Sequence, residues 1–318
     1  MKLSDFDYHL PKQLIAQSPA VTRDSSRLMV VNRKTGEISH DYFYNLLKYL
    51  SPDDLLVFND TKVFPARLFG HKPTGGKVEV LLLRPGWQFI SHPGIKDGQK
   101  IVFTEKLSAR VVNGELKFNV DNAELMQLLD EIGHTPLPPY IEAPRGVDSE
   151  KKTRRRYQTV YAKNSGSAAA PTAGFHFTKR LLNKIPNKVY VTLHVGLGTF
   201  LPVKSEKIED HKMHEEYYEI SNSAKGQVIG AKRVVAVGTT SVRVLESDWD
   251  KHETSIFIYP GYKFKHVDAM ITNFHLPKST LLMLVSAFTG RDLIMKAYKE
   301  AIKEKYRFFS FGDAMLIL

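Results

Sequence analysis

Histidine and hydroxyl side chains in this chain recur beside glycine or proline, just after short apolar runs. Residues 233–237 lead into Gly238, Thr239, Thr240 and Ser241. A glycine turn that opens a helix offers free N–H groups and the positive end of the helix dipole to an anion or polar ligand. An ordinary capped helix would use the same residues. In 168–178, four alanines, Pro171, Thr172 and Gly174 precede His176, which stands between Phe175 and Phe177. Small residues leave room for a ligand, and an apolar setting keeps an imidazole neutral, as a base must be. A hydrogen-bonded core histidine fits that pattern equally. His194 leaves an apolar run toward Gly196 and Gly198, which lack the spacing and lysine of a phosphate-binding loop and suit a tight turn as well. His211 and His214, at i,i+3, would share one helix face. Zinc needs at least a third protein ligand, and the chain has neither HExxH nor cysteine, so proton transfer or substrate contact is expected ahead of metal, with a surface loop the alternative. Asn273 and His275 close a run that precedes an apolar helix, the strand end at which α/β enzymes keep their chemistry.

These groups need a frame. Runs at 54–58, 188–193, 233–237, 254–259 and 269–273 read as strands, and 178–185, 223–232, 241–247, 279–289 and 292–306 as helices, an alternation expected of an α/β sheet. Residues 41–50 carry apolar side chains at helical spacing up to Ser51-Pro52. Between 63 and 148 the texture changes to short strands at 66–70, 77–84, 87–91, 100–104, 108–112 and 116–120, with turns at 74–76 and Asn113-Gly114 and a helix at 123–132. The expected architecture is a mixed α/β domain built from both chain ends, 1–62 and 149–318, with a small antiparallel β-barrel domain, 63–148, inserted in it. Pro136-Leu137-Pro138-Pro139 reads as a stiff connector at the exit.

A formal charge of +11 over 318 residues favours a polyanionic partner, and Lys151–Tyr157, with Arg154, Arg155 and Arg156 beside an aromatic ring, suits phosphate contact and base stacking, or else a solvated charged face. The absence of cysteine removes disulfides and thiolate chemistry. No apolar run is long enough for a bilayer and the first residues are not laid out as a signal peptide, so a cytoplasmic chain is expected.

Several longer stretches resemble one family, the S-adenosylmethionine:tRNA ribosyltransferase-isomerases of queuosine biosynthesis. They include residues 14–19 (Leu-Ile-Ala-Gln-Ser-Pro), 23–27 (Arg-Asp-Ser-Ser-Arg), 32–38, 55–63 (Leu-Leu-Val-Phe-Asn-Asp-Thr-Lys-Val), 65–68, 75–84, 136–141 and 156–162, together with the histidine and threonine segments above. The resemblance covers nearly the whole chain. It implies an α/β domain with an inserted β-barrel. It also implies transfer of the ribosyl part of S-adenosylmethionine to 7-aminomethyl-7-deazaguanine at the tRNA wobble position, giving epoxyqueuosine with loss of adenine and methionine. S-adenosylmethionine is consumed as substrate; no metal or other cofactor is implied, and a monomer is expected. The proton transfers are expected of His176, His194, His211 and His214, without assignment of the base to one of them. Substrate contacts are expected from Asn59, Asp60, Arg67, Arg156, Tyr157, Thr172, Gly174, Gly196, Thr199, Thr239, Thr240, Arg243, Asn273 and His275, the Thr239-Thr240 turn holding adenosine or methionine. The inserted region is short for the family, and Ala168 and Phe175 replace its usual Val and Leu. A binding module for RNA without catalysis, and a metal-dependent hydrolase using His211 and His214, are the competing classes.

Overall fold

Runs of valine, leucine and isoleucine that stay apolar on both faces suit strands covered on both sides, and four of them lie in parallel at the centre of the protein. The computed structural model describes residues 1–83, 87–141, 147–196, 203 and 205–318. In it Lys188–Leu193, Leu55–Asn59, Val234–Val237 and Ala269–Asn273 are parallel neighbours. Ala314–Ile317 adds antiparallel to the last of these, Arg27–Val31 pairs parallel with it, and Ile38–Tyr42 forms that edge. Glu216–Glu219 and Glu253–Thr254 complete the other edge, making nine strands.

Alternate residues of each strand face opposite cores. Val57, Val191, Ala236 and Met270 enter one, while Leu56, Phe58, Val235 and Ile271 enter the other. The order of helices is α1 Asn122–Ile132, α2 Val147–Arg156, α3 Lys179–Asn183, α4 Asn222–Gly230, α5 Thr239–Glu246, α6 Thr280–Thr289 and α7 Arg291–Lys303. Helices α4 to α7 bury residues in the first core and α3 in the second.

The segment expected to be rich in hairpins forms a separate six-stranded antiparallel sheet, in the order Glu115–Phe118, Ser108–Val112, Lys100–Val102, Arg67–His71, Lys77–Leu82 and Phe89–His92. Asn113 and Gly114 both take positive φ at its tightest hairpin. Its inner face and Leu125, Leu128 and Leu129 of α1 make a core of their own. The sheet is open in strand order; its edges touch at one bridge, Gln88 with Glu115. The mixed α/β class is therefore found, with a second, antiparallel sheet beside it.

Four local expectations are corrected. Residues 41–50 do not form an α-helix: Ile38–Tyr42 is a strand and Phe43–Tyr49 a 3-10 helix, whose tighter turn still buries Phe43 and Leu46. The strand expected over 254–259 is limited to Glu253–Thr254. His211 and His214 share no helix face, because the 3-10 turn Ile208–Asp210 ends before them and the chain runs on without helix to Glu216. The segment expected to span 77–84 is a strand over Lys77–Leu82; Arg84 lies outside the described residues.

Candidate active site

The four parallel strands end side by side, and each carboxyl end delivers one of the sequence motifs. Leu55–Asn59 runs into Asp60, Lys188–Leu193 into His194, Val234–Val237 into Gly238 and Thr239, and Ala269–Asn273 into His275. Open α/β sheets bind ligands at this end. Gly238 has φ of +89°, a value that favours glycine, and lets the chain turn from strand into α5; Ser241 Oγ then bonds the Val237 carbonyl at 2.8 Å.

The 3-10 turn Thr172–His176 packs across these ends. Thr172 Oγ1 donates to Asn273 Oδ1 at 2.9 Å, and Asn273 Nδ2 lies 3.1 Å from His176 Nε2. Ser26 Oγ is 2.7 Å from His176 Nδ1. One arrangement satisfies all three bonds: the Asn273 amide donates to Nε2, and the imidazole carries its proton on Nδ1 and donates to Ser26. His275 is held likewise, with Nδ1 3.2 Å from the Tyr298 hydroxyl and Nε2 3.3 Å from Thr272 Oγ1. Burial, aided at His176 by the charges of Arg23 and Arg307, brings both histidines down to about 3. Both are neutral polar struts at ordinary pH.

Thr172, Thr239, Thr240, Asn273 and His275 line one cavity. Ala169, Ala170, Ala173 and Gly238 keep part of its wall low, and Tyr140 packs on Phe309 at another side, ring centroids 4.1 Å apart. Tyr157 lines it too. Thr240 Oγ1 is buried with no hydrogen-bond partner among the described residues, so this wall keeps an unspent polar atom for a ligand. A narrower cavity lined by Arg23, Arg156 and His176 adjoins it, the two sharing Ser310.

The remaining candidates fall into distinct places. Asn59 is a splice between strands, exchanging two 3.0 Å bonds with the backbone of Leu193. Asp60 accepts from Thr192 Oγ1 at 2.6 Å and from Asn164. His194 Nδ1 is 2.8 Å from Thr61 Oγ1, its ring lies over Gly166, and its neighbour Val195 lines the cavity. Behind Val195, Glu216 accepts the Gly196 N–H at 2.8 Å and forms a buried ion pair with Arg243, whose Nε and Nη2 have no partner among the described residues. Burial pulls the Arg243 guanidinium down to about 10. Gly174 is needed for space: a Cβ there would stand 2.0 Å from the Tyr161 hydroxyl. Arg67 belongs to the six-stranded sheet and bonds the Leu137 carbonyl at 2.8 Å. His211 packs edge-on to Phe257, and neither it nor His214 lines these two cavities. Thr199 lies outside the described residues. No three His, Asp or Glu side chains cluster as metal ligands among the described residues. Ser26, Arg23, Tyr140 and Glu216 were not singled out beforehand, because a lone serine, arginine, tyrosine or glutamate carries no spacing that marks it.

Comparison with known proteins decides the family. Residues 3–317 match the family model described as queuosine biosynthesis protein. The chain belongs to this family. S-adenosylmethionine:tRNA ribosyltransferase-isomerases from Halothermothrix orenii, Carboxydothermus hydrogenoformans and Clostridioides difficile are 53%, 52% and 52% identical, each comparison covering 100% of both chains. A crystal structure of S-adenosylmethionine tRNA ribosyltransferase from Thermotoga maritima is similar at 39% identity and a TM-score of 0.57, over 99% of this chain and 100% of that one. The alignment with the Halothermothrix enzyme runs over 348 positions, more than the 318 residues present, so this member of the family lacks positions that its relative has.

Proposed function

We propose that this protein transfers the ribosyl group of S-adenosylmethionine to 7-aminomethyl-7-deazaguanine at the wobble position of tRNA, rearranging it to the epoxycyclopentane of epoxyqueuosine and releasing adenine and methionine. The carrying observation is that the carboxyl ends of the adjacent parallel strands Val234–Val237 and Ala269–Asn273, with Val195 and the segment 169–173, line one cavity of mixed aromatic, small and hydroxyl character. The names of the relatives support the same reaction.

A sulfonium acidifies the ribose C5′ hydrogens, so the reaction starts when a base takes one of them and the C4′–O4′ bond opens; adenine takes a proton and leaves C1′ as an aldehyde, the unprotonated aminomethyl nitrogen adds to C4′ and loses a proton, C5′ closes on C1′, and the resulting oxygen displaces methionine from C5′ to form the epoxide. His176 and His275, at about 3, are poor proton acceptors at neutral pH and act as supports, His176 fixing Asn273 and His275 meeting Thr272. His194, beside the cavity wall and oriented by Thr61, is the histidine we assign to the C5′ proton. Thr240 and Asn273, which line the cavity, are assigned to the nucleoside, and Arg243, three residues on from Thr240 in α5, to the carboxylate of the methionine end. We further take 63–148 as an inserted domain of barrel type and the rest as the α/β domain, a division that the separate core of the six-stranded sheet supports.

The test is to mix the protein with S-adenosylmethionine and tRNA carrying the aminomethyl precursor, then measure free adenine and the mass of the tRNA nucleosides. Adenine in step with epoxyqueuosine is expected. Tight tRNA binding with no adenine would leave a binding module and overturn the reading.

A further inference from the structure

A groove of about 600 Å³ runs between the face of α2 that carries Lys152, Arg155 and Arg156 and the loop 17–21. Those three cations stand at i, i+3 and i+4, so one helix face presents them together. The groove shares Arg156 and Phe311 with the narrower cavity at Arg23 and His176, and that cavity shares Ser310 with the ligand cavity. The three hollows therefore adjoin one another in order, from the basic helix to the carboxyl ends of the strands.

Among the described residues no carboxylate compensates the charge along this path. Arg23 donates to the carbonyls of Phe175, Arg155 and Gln158, and Arg156 to that of Ala20. No ion pair joins Arg23, Arg155, Arg156 or Lys152 to a carboxylate among the described residues. Two described acids near them are engaged elsewhere: Asp24 with Arg180, and Glu150 with Arg154 and Thr135. Burial first, then Arg156 and Arg155, lower the Arg23 guanidinium to about 10, so these groups feel one another's charge. Like charges fixed together without a counterion are relieved by a bound anion. The floor of the groove is apolar, from Leu137, Ile141 and Phe311, and Val21 at its lip is 94% exposed. A free phosphate would leave that apolar length empty, whereas a nucleic-acid strand would cover it.

We propose that Arg23, Arg155 and Arg156 clamp the phosphodiester next to the modified nucleotide, and that the groove along α2 is the path by which the RNA strand enters the site. This rests on the tRNA reading above, and fixes where on the protein the strand lies.

Arg155 and Lys152 are exposed, so Arg155→Gln and Lys152→Gln leave the folded frame in place. Binding of a fluorescent anticodon stem-loop RNA, followed by anisotropy without turnover, is the readout. The double variant is expected to lose roughly tenfold or more in RNA affinity near physiological salt, and each lost phosphate contact to flatten the log–log salt dependence by about 0.7–0.9. Its affinity for S-adenosylmethionine is expected to stay at the wild-type level. An RNA with a neutral methylphosphonate beside the wobble nucleotide should bind the wild type more weakly and lose little further with the variant. Wild-type RNA affinity and salt slope in the variant would overturn the clamp, as would full competition by millimolar inorganic phosphate alone, which would make it a free-anion site. Because binding is read without chemistry, a failed clamp alongside normal adenine release leaves the enzymatic reading standing.

Discussion

At the scale of residues, histidines expected to exchange protons divide by what their ring nitrogens meet. His176 has Ser26 on one side and Asn273 on the other, and His275 has Tyr298 and Thr272, so folding keeps both uncharged. A folded pKa of about 3 against an ordinary 6.5 means that the unfolded chain takes up the proton first. The associated stability is complete above pH 6.5 and is lost as pH falls from there toward 3, by about 1.4 kcal/mol per pH unit for each histidine. Urea unfolding at pH 7.5 and 5.5 should show this loss, and His176→Gln should remove one histidine's share. An equal pH dependence in the variant would show that His176 is charged or exposed in the fold. The pair of Arg243 and Glu216 argues in the opposite direction. Arg243→Ala takes the cation away from a buried carboxylate, for an expected loss of about 3–5 kcal/mol, whereas Arg243→Gln with Glu216→Gln removes both charges and should cost clearly less. Urea midpoints for the three proteins check the order; equal losses would mean that the pair is hydrated. The spacing of His176, Thr239 and Asn273 in sequence announced polar loops, but whether a ring nitrogen is free depends on partners such as Ser26, 150 residues away.

Among elements, those whose burial repeats along the chain were legible. Lys188–Leu193 and Ala269–Asn273 match the expected strands residue for residue, because continuous apolar runs bounded by polar residues leave few alternatives. The six short antiparallel strands were legible through their turns, Asn113-Gly114 above all. Arg27–Val31 and Ala314–Ile317 were not read as strands, although they pair with each other within the central sheet; they lie at opposite ends of the chain, so nothing local announces that pairing. The 3-10 turn Thr172–His176 was legible only as small residues around a proline. Its shape depends on contact with Tyr161, whose hydroxyl occupies the space that a side chain on Gly174 would need. Gly174→Ala is therefore expected to cost about 1–3 kcal/mol and to lower activity with it, by displacing the turn that carries Thr172 and His176. Tyr161→Phe in the same protein removes the nearest atom and should restore part of the melting temperature. No coupling between the two substitutions would mean that the turn yields elsewhere.

For the whole molecule, the open question is how far the two sheets depend on each other. The six-stranded sheet buries its own set of side chains, from Phe64 and Leu68 through Leu116 to Leu129, and shares none of them with the cores on either face of the nine-stranded sheet. Its way in and way out are fastened together: Arg67 and His134 exchange backbone hydrogen bonds of 3.1 and 2.8 Å, and Gly133 packs directly on Pro65. A chain cut at that point has its ends already adjacent, so little loop-closure entropy opposes a short bridge. The ligand cavity takes its wall from Tyr140, Tyr157 and residues 169–173, 195, 238–240, 272–275, 281 and 309–310, none of them within the sheet that would be lost. Replacing residues 68–132 by a short glycine–serine link should accordingly yield a soluble protein that unfolds in one transition and binds S-adenosylmethionine as the full chain does. Calorimetric titration of the ligand against both proteins decides it. If the shortened chain aggregates, or folds and no longer binds, the two sheets form one cooperative unit, and the insertion is part of the site's support instead of a module beside it.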